Sequence, residues 1–395
     1  MKKLLLTLCL AACGLLLGGC SGGQEIESCL FVLAMAVDPA PDGNLTVTVK
    51  ALSGTHEAAS GTTQAAQSNS GAPEDADPQS GPETPEPGYI VMSATAPSCL
   101  RALNMLSSTT PRTMNLSQLR EIVVSRTLAE TDATLSILRE IHSMYRANGE
   151  AIVVVTPDDA GDFIRRQRAI LGVRLSKYLE VLFDHFAGMD VIPSDAQLAS
   201  VIAAMESDTI DATAVYAAGN VFSSAIVLGG SADMDRLPGH LPRTSPAENE
   251  YLGCALFSGP RMTGTLTGEE TGLLMLITGQ AQRRSTFIGN AFYRTNLPTR
   301  VRRRIDPDGT LSVHIAMSLE HAAGEAAMTS EEIAARIERD AVNVLLRLRA
   351  ASCDAAGFGR IAIRESIDIP AWEARNWPDE YDRLGVRVSA EVTVH

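Results

Sequence analysis

Positive charge is scarce in this sequence. The 395 residues include 33 Lys and Arg against 47 Asp and Glu, which gives a formal net charge of −14 at pH 7. Nucleic-acid-binding proteins normally carry a basic stripe, so this excess of acid argues against a nucleic-acid partner. It also disfavours a surface that lies flat on anionic lipid, and it indicates a water-soluble body.

Short catalytic motifs are missing as well. The sequence contains no H-E-x-x-H zinc motif and no phosphate-binding P-loop. His314 and His321 are seven residues apart, but His314 falls in a strand pattern, so a metal site there is disfavoured. We therefore expect no catalytic residues, no metal and no cofactor, and we expect binding or assembly rather than catalysis.

Long hydrophobic runs are limited to the N-terminus. Residues 4–17 follow two lysines and have the charge and length that are typical of a signal peptide. A membrane-spanning helix needs about 20 apolar residues, so this run is too short to span. It ends in Leu17-Gly18-Gly19-Cys20, which resembles a lipobox. We predict a signal peptide at residues 1–19 and a diacylglycerol anchor on Cys20 at the outer face of a membrane; an ordinary secretory signal is the alternative.

Closely spaced cysteine pairs are absent after Cys20. Cys9 and Cys13 lie in the predicted signal peptide. The remaining cysteines after Cys20 are scattered, without a C-x-x-C pair: Cys29, Cys99, Cys254 and Cys353. Nothing resembles a disulfide framework, so we expect mostly buried thiols.

Large apolar residues are almost missing from residues 53–88. This stretch consists mainly of Ser, Gly, Thr, Ala, Pro, Gln and Glu. Such a composition cannot bury enough surface to offset the entropy of ordering the chain. We predict a disordered insertion within a folded domain.

The rest of the chain predicts the α+β class, with mixed or antiparallel sheets flanked by helices. Residues 29–37 form an apolar run, and residues 44–52 alternate between apolar and polar. The turn signal Asp42-Gly43 between them indicates paired strands. We predict three α+β domains, of which the first contains the insertion: residues 20–206, 207–285 and 286–395.

The C-terminal region has the clearest helix signal. Thr329 with Glu332 forms a capping-box pattern before a long helix at residues 330–352, as Thr267 with Glu270 does before a shorter helix. Apolar and polar residues alternate over residues 386–395, which predicts a half-buried strand. Residues 287–293 are predicted to form one strand.

Two further patterns have a simple structural interpretation. The segment 357–362 formally matches the G-x-G-x-x-G/A dinucleotide pattern, but a long helix precedes it and residues 361–364 are strand-like, so a glycine turn is favoured. The basic cluster on or beside a predicted strand is interpreted as a strand edge protected by charge, with a phosphate or lipid-headgroup site as the alternative: Arg300, Arg302, Arg303 and Arg304.

The last forty residues or so resemble a known family. The segment 354–359 (DAAGFG), followed by Trp372, Trp377 and the valine-rich terminal strand, resembles the closing signature of the Ger(x)C family. Other segments resemble the family in the same order along the chain: Glu25-Ile26-Glu27, Phe31-Val32-Leu33 and Val37-Asp38; Arg112, Leu116, Leu119 and residues 122–125; Gly253 to Phe257, Gly264 to Leu266 and Glu269 to Thr271.

The resemblance implies a germination function. Ger(x)C proteins are the lipoprotein C subunits of nutrient germinant receptors in spore-forming bacteria, and they act with two integral-membrane subunits, one A-type and one B-type. A three-domain, non-catalytic protein outside the inner spore membrane is implied, whereas contact with the germinant stays unknown. The alternatives from the sequence are a solute-binding lipoprotein of a transporter and, less favoured, a surface hydrolase.

Five residues of the closing signature are candidates for a structural or partner-contact role: Gly357, Phe358, Gly359, Trp372 and Trp377. Tryptophan is highly buried on average and also enriched at interfaces. Of the two roles, we favour core packing for both tryptophans.

Overall fold

The structure is a computed structural model. It describes residues 28–52, 88–144, 147–169, 174–220, 236–241, 249–281, 285–288, 291–324 and 328–395. The predicted signal peptide, the lipid site at Cys20 and the predicted insertion, apart from Gly88, lie outside the described residues.

The N-terminal sheet has nine strands in the part of the chain that is described. In chain order they are β1 (Cys29–Pro39), β2 (Leu45–Leu52), β3 (Tyr89–Ala96), β4 (Thr113–Asn115), β5 (Glu121–Ser125), β6 (Ile152–Thr156), β7 (Thr213–Gly219), β8 (Asn249–Ser258) and β9 (Arg261–Leu266). The order across the sheet is β3-β2-β1-β5-β6-β7-β8-β9, and β4 pairs with β1. The central strands β1, β5, β6 and β7 are parallel, and the strands that flank them are antiparallel.

Helices cover both faces of this sheet. They are α1 (Cys99–Ser107), α2 (Arg126–Ala129), α3 (Ala133–Ser143), α4 (Ala160–Arg166), α5 (Leu175–Gly188) and α6 (Leu198–Met205). One face packs against α1, α2, α3 and α6, and the other face packs against α4 and α5. Central parallel strands must be apolar on both faces, which explains the Ile- and Val-rich sequences of β5 and β6.

The C-terminal sheet has five strands among the described residues. They are β10 (Ser285–Ile288), β11 (Ala291–Thr295), β12 (Arg300–Asp306), β13 (Thr310–Gly324) and β14 (Gly385–Val394). The long strand β13 pairs antiparallel with β11 and β12 and parallel with β14. Helices α7 (Gly268–Thr278) and α8 (Ser330–Ala350) contribute to the same hydrophobic core as this sheet.

Helix α8 forms where the capping box predicts it. The Thr329 hydroxyl accepts a hydrogen bond from the Glu332 amide, and the Glu332 carboxylate accepts one from the Thr329 amide. Ile333, Ile337 and other apolar residues at helical spacing are buried against the sheet. Three short helices follow α8: α9 (Gly359–Glu365), α10 (Ile369–Arg375) and α11 (Trp377–Tyr381).

Strand β8 contributes to three hydrophobic cores, of which the one against α4 and α5 receives Tyr251 and Leu252. Ala255 and Phe257 lie in the core of the N-terminal sheet, whereas Cys254 and Leu256 lie in the core that contains α8. Successive side chains of a strand point to opposite faces, which explains the alternation. Strands β7 to β9, from the predicted middle domain, thus extend the N-terminal sheet, and the division into three domains stays a prediction.

The predicted α+β class with mixed sheets flanked by helices is confirmed. Two local predictions were wrong. Residues 287–293 contribute to two antiparallel strands, β10 and β11, rather than to one. The strand-like residues 361–364 lie in helix α9, because tertiary contacts near its N-terminus outweigh the local preference for a strand. No helix in the described ranges is both long and apolar enough to cross a membrane.

Candidate functional site

The five candidate residues of the closing signature meet around one buried carboxyl group, that of Asp354. The loop that contains Asp354 follows α8 and leads into α9. The Asp354 carboxylate accepts hydrogen bonds from the Phe358 amide at 2.9 Å and the Gly359 amide at 2.6 Å. It also accepts one from the Trp377 indole nitrogen at 3.1 Å. We call this group of residues the Asp354 junction.

The environment of Asp354 disfavours the ionised form of its carboxyl group. The side chain is buried, and this burial raises its pKa from 3.8 to about 7, although the hydrogen bonds from Gly359, Phe358 and Trp377 act in the opposite direction. Asp211, whose pKa is also raised by burial, is a further acidic neighbour. The Asp354 carboxyl therefore keeps its proton to a much higher pH than an exposed aspartate does.

The two glycines of the signature are required by geometry. Gly357 has φ +71°, a left-handed conformation that side chains rarely adopt. A Cβ atom on Gly359 would lie 2.7 Å from the Thr209 carbonyl oxygen and 2.7 Å from the Trp377 indole nitrogen. The close approach at Gly359 brings the start of α9 against the segment that precedes β7.

Both tryptophans are buried, each with 4% of its surface exposed. Their rings stack with centroids 6.1 Å apart. Trp372 donates its indole N–H to Asp208 at 2.6 Å, and the Trp377 ring also lies 5.9 Å from that of Tyr381. Since Phe358 is fully buried as well, the three aromatic residues of the signature face inward.

Asp211 connects the two sheets through backbone groups. Its carboxylate accepts hydrogen bonds from the Asp354 amide at 2.7 Å and from the Gly259 amide at 3.1 Å, in the turn between β8 and β9. The Asp211 amide in turn donates to the Asp354 carbonyl at 3.3 Å. The Asp354 junction thus fastens the C-terminal core to the edge of the N-terminal sheet.

The predicted arginine cluster is divided between two environments. Arg303 is half-buried and donates to the Ala356 carbonyl in the junction loop, and its pKa is lowered by burial. Arg300, Arg302 and Arg304 are exposed on the other face of β12. One arginine of the cluster therefore hydrogen-bonds to the junction loop, and the other three face the solvent.

A cleft opens beside the junction, lined by Asp208, Asp211, Asp354, Trp377 and Tyr381 among others. Its volume is about 40 Å³, whereas sites for small organic ligands usually measure about 300–1,000 Å³. The oxygens of Asp354 and Asp211 are already engaged by amides and an indole. Among the described residues, no group of three or more His, Cys, Asp or Glu is placed to hold a metal ion. The arrangement is built to hold chain segments together.

A second buried polar cluster lies under the N-terminal sheet. The Glu121 carboxylate accepts from the Gln167 amide nitrogen at 2.6 Å and from the Tyr251 hydroxyl at 3.1 Å. Burial raises the pKa of Glu121 from 4.5 to about 7, and nearby Lys50, which donates to the Gln167 carbonyl, partly opposes this rise. The sequence interpretation missed this cluster, because its residues are far apart along the chain.

The four cysteines of the described residues are buried thiols outside any disulfide: Cys29, Cys99, Cys254 and Cys353. Burial raises the pKa of Cys99 and of Cys254 to about 12. Such thiols are poor nucleophiles.

The structure brings all five signature candidates together, whereas Cys20 lies outside the described residues. The sequence interpretation missed the acidic partners Asp208 and Asp211, and it quoted Asp354 only as part of the family signature. For Asp354 a signal existed, because an acidic residue four positions before a helix-starting Phe-Gly pair can bond the free amides there.

Two models of spore germination proteins match the chain in succession. The model described as "Spore germination protein N-terminal domain" matches residues 22–218, and the one described as "Spore germination B3/ GerAC like, C-terminal" matches residues 252–395. A solved structure described as "Crystal Structure of the GerBC protein" is similar over 91% of this chain and 96% of its own, with 12% sequence identity and a TM-score of 0.47. Curated proteins yield no match. The two family matches together span most of the chain.

Proposed function

This chain belongs to the GerAC-like family of spore germination proteins, and on that premise we propose that it is the lipid-anchored C subunit of a nutrient germinant receptor. In this role it assembles with an A-type and a B-type integral-membrane subunit and helps to convert a nutrient signal into germination. The resemblance to the Ger(x)C family that the closing signature indicated is confirmed by the same matches.

The observation that carries the proposal is the succession of the two family matches. The N-terminal match runs from β1 to all but the last residue of β7, and the C-terminal match begins within β8 and runs through β14. A chain that merely borrowed one domain would match one model. The match of both halves, in this order, therefore supports the proposal.

We propose that the protein acts by assembly and without catalysis. Asp354, which lines the surface cleft, already accepts hydrogen bonds from two backbone amides and an indole. A general acid or base must also lie within hydrogen-bond reach of a bound substrate. The small volume of the cleft beside it supports the same interpretation.

The proposed anchor is diacylglycerol on Cys20. The apolar run, the small residues Gly18 and Gly19 and the cysteine directly after them support cleavage before Cys20. Two acyl chains suffice for stable attachment, so a lipidated cysteine needs no spanning helix to hold the protein on the outer face of the inner spore membrane.

The anchor is tested by Cys20→Ser in a spore-forming host, with Ser21→Ala as the matched control. We expect labelled palmitate to enter the wild-type protein and the S21A variant, and both to fractionate with the spore membrane. The C20S variant should carry no label and leave the membrane fraction. Membrane retention of an unlabelled C20S protein contradicts the anchor but leaves the receptor role open.

The receptor role is tested by deletion and co-purification. Spores that lack the gene should fail to germinate in response to at least one nutrient, and a wild-type copy should restore the response. Native protein extracted from spore membranes should co-purify with A-type and B-type subunits. Normal germination with every nutrient, together with purification of the protein alone, refutes the proposal.

A further inference from the structure

One face of the C-terminal sheet exposes a row of arginines along β12. Arg300, Arg302 and Arg304 alternate with Val301, Arg303 and Ile305, which face the core or the Asp354 junction. Residues two apart on a strand point to the same side, about 7 Å from each other. Three guanidinium groups therefore follow the strand at a regular interval on its exposed face.

Neighbouring strands leave this row accessible. Arg302 lies opposite His314 on β13, which lies opposite Ser389 on β14. The His314 ring nitrogen Nδ1 is 2.9 Å from the Ser389 hydroxyl, so these two side chains satisfy each other. In the next row Arg304 lies opposite Ser312. Small or internally bonded side chains thus border the arginines.

The arginines differ in their ion pairing. Arg304 pairs with Asp306 at 2.7 Å, and Arg387 of β14 shares the same carboxylate at 3.1 Å. Arg300 and Arg302 have no ion pair within the described part of the chain. Since the whole chain carries a net charge of −14, two unpaired arginines on one strand form an unusual local excess of positive charge.

Strand β12 is also an edge of its sheet. It pairs with β13, and the other side of β13 is occupied by β14. About half of the backbone groups of an edge strand point away from its partner. In the described ranges, the backbone of residues 300–305 has no hydrogen bond to a loop or to another strand beyond β13. Such an edge is a template for a further strand.

We propose that β12 is a docking strand for an extended acidic segment of a partner protein. The segment pairs with the backbone of Arg300–Asp306 and places carboxylates at alternate positions beside the three exposed arginines. Side chains directly opposite on antiparallel strands have Cβ atoms about 5 Å apart, a distance that opposite charges can use. The main chain supplies affinity and the alternate charges supply specificity, as in other cases of strand addition.

Charge decides between this occupant and a membrane surface. The row of arginines ends at Asp306, and Asp308 lies just beyond it. A flat bilayer of anionic lipid meets the field of the whole acidic body, whereas a single strand along β12 meets mainly the side chains next to it, because charges more than about 10 Å away are screened in salt. The proposal holds whether or not Cys20 is lipidated.

The test uses full-length protein in detergent and a fluorescein-labelled decapeptide of alternating Glu and Val. Binding is followed by fluorescence anisotropy in about 150 mM salt, which screens weak long-range attraction. We expect saturable binding to the wild-type protein. The double variant R300E/R302E should weaken it at least about tenfold, because two cross-strand attractions become repulsions.

The matched control is R336E/R339E on the exposed side of α8, which changes the net charge by the same amount. Its affinity should equal that of the wild type, and circular dichroism should show all three proteins folded. A second probe, the same peptide with N-methyl groups on alternate amides, should not bind, because it cannot pair with an edge strand.

Three results overturn the proposal. The first is a failure of the Glu–Val peptide to bind, or equal weakening by both double variants. The second is undiminished binding of the N-methylated peptide, which shows simple charge attraction without strand pairing. The third is binding of the wild type, but not of R300E/R302E, to phosphatidylglycerol vesicles while the peptide stays unbound, which assigns the face to lipid.

Discussion

The raised pKa of Asp354 predicts a specific dependence of stability on pH. In the folded chain this carboxyl ionises near pH 7, whereas in the unfolded chain it ionises near 3.8, mainly because folding buries it. Between these values the folded chain holds a proton that the unfolded chain has lost. Its contribution to stability is therefore fully present below pH 3.8 and is lost as the pH rises through about 7.

The size of the effect follows from the difference in pKa. A rise from 3.8 to about 7 corresponds to about 4 kcal/mol of unfolding free energy, lost across that pH window. The change to test is Asp354→Asn, which keeps the shape of the side chain but cannot ionise. The free energy of unfolding of the wild type should fall between pH 4 and about 7.5 by up to about 4 kcal/mol more than that of D354N.

The assay is urea denaturation of the full-length protein, followed by tryptophan fluorescence at several pH values. Asp379→Asn, at an exposed position of α11, is the matched control and should keep the wild-type slope. Glu121→Gln should remove a separate dependence of the same sign, about 3 kcal/mol, since burial raises the pKa of Glu121 from 4.5 to about 7. If D354N and the wild type lose stability in parallel, Asp354 does not hold its proton in the folded state, and the reasoning fails.

Three further predictions concern packing and reactivity. Gly359→Ala should lower the free energy of unfolding by about 2 kcal/mol or more, because the new Cβ meets a backbone carbonyl. Gly188→Ala is the control, since a Cβ there meets nothing within 4 Å. Equal melting temperatures for G359A and G188A contradict this prediction. Trp372→Phe should cost about 1–2 kcal/mol in urea denaturation through the lost bond to Asp208. An Asp208→Ala background, which removes the acceptor, should abolish most of that difference. In native protein the four described cysteines should resist a disulfide-exchange reagent until urea unfolds the chain, since burial raises the pKa of thiols such as Cys254. Fast labelling of any of these thiols in the native protein would contradict their buried positions.

Local patterns predicted the elements whose causes are local. The capping boxes at Thr267 and Thr329 both form, with the acidic residue three positions later closing each box. The alternation over the last residues became β14, and the hairpin signal at Asp42-Gly43 lies between β1 and β2. In each case the signal and the structure lie within a few residues of each other.

The features that could not be predicted from the sequence depend on contacts between residues that are distant along the chain. Residues 361–364 have a strand-like composition, yet they form helix α9, where Asp354 bonds the first free amides and Gly359 lies against Thr209. The junction itself joins Trp372 to a carboxylate 164 positions away. No periodicity marks such a pair in a single sequence, whereas the family signature pointed to its aromatic half.

The position of β8 between two cores affects how the protein unfolds. Its Phe257 and Leu256 side chains are neighbours on the chain but lie in different cores. If β8 separates from one core during unfolding, its side chains in the other core become exposed as well. Exposure of that apolar surface to water costs free energy. We therefore expect the two sheets to unfold together in one cooperative transition.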